Sequence, residues 1–320
     1  MKKLLLILVA AAAALPSPAL RAQDFPSRPI TFVNPFGPGS ASDTLCRIIA
    51  DPLGAALKQP VVVEDRPGAD GALSAQYVAH AVPDGYTLLM ATNSPLSADP
   101  FLLRTVSYDP VKDFMPVSRV GSFTLMLVIN PDIPAKTLKE LVDYAKANPG
   151  KLSFASGNTA GIVAGKMLAN WAGIDMLHVP YKSTPPALED IIAGRVSMMF
   201  ADFTTAAPHV NAGALRALAI TRIRRSSLYP DLPTMDESGL TGFDLDAWAG
   251  LVVPARTPPA IVTRLNTELR KVIDNPQVRA KFRNVGFEGF SSTPEELGDF
   301  IKVQLAKWRK MVKDADIEAQ

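Results

Sequence analysis

An apolar strand that runs through a Gly/Pro turn straight into a capped helix is compatible with few architectures, and residues 28–45, RPITFVNPFGPGSASDTL, form such a stretch. Ile30 to Val33 are apolar or β-branched, as a buried strand requires. Pro35, Gly37, Pro38 and Gly39 then forbid regular pairing and make a tight turn. Ser40 and Asp43 have the S-x-x-D spacing of a capping box, and Leu45, Ile48 and Ile49 follow at helical intervals, so a helix is expected to begin near Ala41. Its first amides point beyond the strand's carboxyl end and, with the helix dipole, favour a carboxylate or phosphate without any cationic side chain. The same strand, turn and helix also joins ordinary α/β units, so this stretch alone leaves binding and mere connection both open. Ser42 stands where a dinucleotide fingerprint has its third Gly, and no Gly-Lys-Ser/Thr closes the turn, so nothing here marks a nucleotide site.

The chain opens with Lys2 and Lys3, an apolar run from Leu4 to Leu15, then Pro16 and small residues before Gln23. This pattern is a secretory signal peptide with cleavage near Ala22, its apolar run being short for a membrane span. No Cys follows the run to take a lipid anchor. Removing residues 1–22 takes the 33 basic side chains to 30 against 31 acidic ones, which leaves no basic surplus for a nucleic-acid partner. The mature chain of about 300 residues, 48% hydrophobic overall, is long enough for two domains with their own cores. Cys46 is the only cysteine, so this exported chain folds without an intrachain disulfide; among Leu45, Ile48 and Ile49 it reads as a small buried hydrophobe.

Strands and helices alternate along the rest. Strands are expected over 59–64, 86–91, 124–130, 152–155, 177–180, 196–201, 215–221 and 249–253. Helices are expected over 72–81, from Lys136, over 162–172, 186–193 and 206–212, after Thr257-Pro258, and from the capping box Thr293-Pro294-Glu295-Glu296. The segments Arg222 to Ser227 and Tyr229 to Pro233 read as a surface crossing. Many strands end in small or polar groups: Thr92, Asn93 and Ser94; Ser156, Gly157, Asn158 and Thr159; Tyr181; Asp202 and Phe203. In an open α/β sheet such carboxyl ends share one crevice, so the two halves of the chain are expected to face each other across it.

Catalytic readings find little support. His80, His178 and His209 lie apart and none has metal-ligand spacing, so no metal or cofactor is expected. A hydrolase triad would need an exposed serine, and no G-x-S-x-G elbow is present. His178 in its strand reads as a satisfied sheet residue.

The segments RPI, PFGPGSASD, VVVEDRPGADG, PDGYTLL, YDPVKDF, AKANPGKLSFASGN, HVPYK, GALRALAIT, LPT and WAGLVVPARTP occur in the order and spacing of one family. Over essentially the whole mature chain this sequence resembles the Bug family, the extracytoplasmic receptors of tripartite tricarboxylate transporters. The resemblance implies an α/β, type II-like periplasmic-binding-protein fold with crossing strands: a signal peptide over 1–22, a first domain from 23–124 and 226–320, and a second from 125–225. It implies a small carboxylic acid bound between the domains, largely by loop backbone and water, in a periplasmic monomer without a cofactor. Carried over, the contacts fall at Phe36, Gly37, Gly39 and Ser40 with Asp43 behind them, and at Thr92, Asn93 and Ser94. On the other side they fall at Ser156, Gly157, Asn158, Thr159, Tyr181, Asp202 and Phe203. Partners would be the membrane subunits of such a transporter or, alternatively, of a sensor; a periplasmic hydrolase is the remaining alternative. PFGPGS for PFPPGG, a shortened SGNTAGIVAGK loop without its customary His, and VPYKST for VPYKGS depart from the family pattern on loops that would touch the ligand.

Overall fold

The computed structural model describes residues 25–226 and 229–319, so the signal peptide read at the N-terminus lies outside the described residues. Two sheets organise the chain. The first has the order β11-β4-β10-β3-β1-β2, with β1 (Ile30–Asn34) at the junction of β2 (Val61–Asp65) and β3 (Thr87–Thr92), both parallel to it. β10 (Ala247–Pro254) runs antiparallel between β3 and β4 (Phe114–Phe123), and β11 (Phe287–Gly289) closes the edge. The second has the order β7-β6-β8-β5-β9, made of β5 (Leu125–Ile129), β6 (Ser153–Ser156), β7 (Leu177–Pro180), β8 (Met198–Asp202) and β9 (Arg216–Ile220).

Helices cover these sheets where apolar residues recur at helical spacing. They are α1 (Ala41–Leu57), α2 (Ala72–Ala79) and the single turn α3 (Asp99–Leu102), then α4 (Leu138–Ala147), α5 (Thr159–Ala172), α6 (Thr184–Ile192) and α7 (Phe203–Asn211). The chain closes with α8 (Pro259–Asp274), α9 (Pro276–Asn284) and α10 (Pro294–Asp314). α1 buries Leu45, Cys46, Ile49 and Leu53, and burial pushes the Cys46 thiol well above its ordinary value, as suits an inert core residue. α10 starts with the full reciprocal capping box of Thr293 and Glu296 and lays Leu297, Ile301, Trp308 and Val312 inward.

The sheets are joined by two crossings that bond to each other. β4 ends at Phe123 and β5 begins at Leu125, so Thr124 alone passes from one sheet to the other. The return runs from β9 to β10, where Thr221 donates its amide to Leu125 O at 3.0 Å and accepts from the Leu245 amide at 3.0 Å. Arg222 pins the junction through Glu288 at 2.7 Å and Asp246 at 3.0 Å.

One sequence expectation needs correction here. The surface crossing expected over Tyr229 to Pro233 is only partly exposed, because Tyr229 and Leu232 pack against the core of the second sheet, and beyond it Met235, Leu240, Phe243 and Leu245 are buried. β3 ends at Thr92, and the chain winds from there into a π-helical turn over Ser94–Ala98. β4, α9 and β11 were not expected at all. β4 carries Pro116, Ser118, Arg119 and Ser122, which hide its strand pattern; Ser118 is buried because its hydroxyl bonds Ser292 O at 2.9 Å.

Candidate functional site

Each loop that closes a strand at the crevice also opens a helix, and the local sequence explains why. Ser40 caps α1 by accepting from the Asp43 amide at 3.3 Å, while Asp43 Oδ2 reaches back to the Gly39 amide at 2.8 Å. The reciprocal box expected at Ser40 is therefore displaced by one residue, with Gly39 at φ 76° making the turn. Arg47 holds the other Asp43 oxygen at 2.8 Å, one turn along the helix. Asn158 caps α5 through the Gly161 amide at 3.0 Å, and Asp202 caps α7 through the Thr205 amide at 2.9 Å. Ser183 precedes α6 without a side-chain cap, and Pro185 and Pro186 follow Thr184 in its first turn.

These helix starts surround a cleft of about 440 Å³, counting the space open to solvent. Phe36, Ser40, Ala41, Ser42, Thr92, Asn93 and Ser94 line it from the first sheet, and Gly157, Asn158, Thr184 and Asp202 from the second. Its floor is Phe123, Leu125 and Ala247, the residues where the strands cross. Among the described residues no Arg, Lys or His lines it, so charge recognition falls to backbone amides at the helix N-termini. Thr92 Oγ1 is buried there with no partner among the described residues, a group held ready for a ligand or water.

The two sides touch directly. Ser94 Oγ lies 2.8 Å from Thr159 Oγ1 and accepts the Thr159 amide at 3.3 Å, and Asn93 Nδ2 reaches Thr159 Oγ1 at 3.5 Å. A Cβ on Gly157 would fall 2.4 Å from Ser183 C and Thr184 N, so only glycine lets this loop pass the start of α6.

Of the residues expected at the site, Phe36, Ser40, Thr92, Asn93, Ser94, Gly157, Asn158 and Asp202 line the cleft together. Gly37, Gly39 and Asp43 shape the turn behind Ser40, and Thr159 spends its hydroxyl on Ser94. Three others are turned to different work. Ser156 Oγ bonds His178 Nε2 at 2.7 Å, the Tyr181 hydroxyl donates to Asp190 at 2.6 Å, and Phe203 sits in the second core edge-on to Tyr229. His178 also stacks on Phe154 at 4.7 Å, and burial lowers its pKa, so the imidazole is a satisfied part of the sheet.

Ala41, Ser42, Phe123, Leu125, Thr184 and Ala247 were not expected. Ala41 and Ser42 follow directly from the cap at Ser40, and Ser183-Thr184-Pro-Pro is a legible helix start. The three floor residues carry no local signal, because only the crossing of distant strands puts them in one place. Among the described residues no group of three or more His, Cys, Asp or Glu is placed to hold a metal ion, and no helix is long and apolar enough to cross a membrane.

Two α/β lobes, joined by crossing strands that floor a cleft ringed by helix N-termini, define the fold class of periplasmic binding proteins. Residues 45–317 match the family described as "Tripartite tricarboxylate transporter family receptor", and the chain belongs to that family. It is 34% identical over 298 residues to "Protein BugT" of Bordetella pertussis, covering 92% of this chain and 91% of that one. Among solved structures, "R. palustris Rpa4515 with adipate" superposes with a TM-score of 0.90 at 30% identity, covering 93% of this chain and 100% of the other. "MatC (Rpa3494) from Rhodopseudomonas palustris with bound malate" gives 0.84 at 31% identity, with 90% and 100% covered.

Proposed function

We propose that this protein captures a small carboxylic acid between its lobes in the periplasm and delivers it to the membrane subunits of a tripartite tricarboxylate-type transporter. The observation that carries this reading is the cleft itself: it has helix N-termini on both sides, the unpartnered Thr92 hydroxyl inside, and no cationic side chain. An anion there is held by amides of both lobes at once, and binding then favours the closed form. The adipate and malate in the two similar structures are acids of the class proposed.

The lobes are assigned to 23–124 with 226–320 and to 125–225, and the mature monomer starts near Gln23, which N-terminal sequencing checks. The hydrolase alternative is disfavoured because, among the described residues, no carboxylate is bonded to the imidazole of the Ser156–His178 pair, and neither residue lines the cleft. A thermal-shift panel of mono- and dicarboxylates, sugars and metal ions tests the ligand class. At about 100 times Kd a true ligand adds roughly 2.7 kcal/mol and raises the melting point by several degrees. Shifts from sugars or metals with none from any carboxylate would overturn the reading.

A further inference from the structure

Asp202 is the one ionisable residue among those lining the cleft, and it carries the sign opposite to what a bare anion needs. Its placement is structurally enforced. Oδ1 accepts both the Thr205 amide and the Thr205 hydroxyl, each at 2.9 Å, and so caps α7. The residue is only 5% exposed, and no cation is ion-paired with it among the described residues. With Oδ1 committed to the helix, Oδ2 is the oxygen left for whatever fills the cleft. Burial pushes the Asp202 carboxyl up from its ordinary value, and the two Thr205 hydrogen bonds with the positive end of α7 pull back toward the carboxylate form.

We infer that Asp202 is a specificity-determining residue, selecting carboxylic acids that also carry a hydrogen-bond donor, an ammonium or hydroxyl group near the acid, over donor-free acids of the same skeleton. This rests on the carboxylate reading above and narrows it. A donor-free acid places its own negative charge and bare CH groups against an unpaired carboxylate, whereas an ammonium or hydroxyl gives Oδ2 a charge-assisted bond. The amides at Ala41 and Ser42 then serve the ligand's carboxylate on the far side, so opposite walls of one cleft read different ends of one molecule.

Titration calorimetry on matched acids provides the test: succinate, malate and aspartate; glutarate and glutamate; 3-phenylpropionate and phenylalanine. Within the skeleton that binds, a donor-bearing acid should bind at least tenfold more tightly than its donor-free counterpart. Asp202→Asn keeps an effective N-cap for α7, which a melting curve verifies, yet removes the charge. It should reduce that preference to under about threefold, chiefly by strengthening the donor-free acid. Equal affinities within a skeleton, or a preference that survives in Asp202→Asn, overturn the inference and leave the carboxylate reading intact. Failure of every acid to bind removes both.

Discussion

Ser94 Oγ and Thr159 Oγ1 stand 2.8 Å apart across the cleft, the first just after β3 in one lobe and the second at the start of α5 in the other. Because the Thr159 amide also donates to Ser94 Oγ, one serine side chain holds two bonds between the lobes. Both residues are buried, so water cannot readily replace these bonds while the cleft is closed.

Ser94→Ala removes both bonds at once. Each such hydrogen bond contributes about 0.5–1.5 kcal/mol, so losing two should lower ligand affinity by roughly five- to a hundredfold. Calorimetry measures the loss, and scattering from the ligand-free variant should report a larger radius of gyration than the parent protein. Parental affinity in the variant would show that the bond does not contribute to closure.

Thr92→Val tests the unpartnered hydroxyl. Val has the same shape and removes a buried polar atom that lacks a partner, so the ligand-free protein should melt at the same or a higher temperature. Binding should move the opposite way, weakening by about ten- to a hundredfold if the hydroxyl bonds a charged ligand at about 1.5–3 kcal/mol. A variant that is both destabilised and fully competent to bind would place the hydroxyl's role in the fold.

Behind the Ser94 turn lies a second buried acid. Asp99 is fully buried with both carboxylate oxygens unpartnered among the described residues, and burial, then the neighbouring Asp70, pushes its pKa well up. Burial likewise pushes Asp70 to about 6 from an ordinary 3.8. Between about pH 4 and 6 the unfolded chain therefore loses a proton from Asp70 that the folded protein keeps, so stability falls as pH rises through this window. Asp70→Asn should match the parent at pH 3.5 and exceed its stability by about 1–3 kcal/mol at pH 7.5. Asn tolerates the φ of 53° found there, and melting curves at the two pH values check the sign.

The legible part of this molecule is what short-range chemistry determines. Ser40, Asn158, Asp202 and Thr293 cap helices in the structure because their hydroxyl, amide or carboxylate oxygens accept from amides three residues on, and that spacing is written in the chain. The glycine at 157 and the polar strand ends are visible for the same reason. Where a polar side chain finds a partner depends on distant elements: Tyr181 turns to Asp190 on α6, and Ser156 to His178 on the neighbouring strand. β4 escapes detection because Ser118 and Ser122 are buried against tertiary partners rather than exposed in alternation. The cleft floor at Phe123, Leu125 and Ala247 exists only once two strands cross.

Small-angle scattering with and without a saturating carboxylate, chosen as the acid giving the largest melting shift, tests most directly whether one ligand is held by both lobes. Binding should lower the radius of gyration, because only the closed form brings the amides at Ser42 and Asn158 to the same molecule. An unchanged radius at a concentration where calorimetry shows the site full would contradict closure around a shared ligand and place the binding site on one lobe alone.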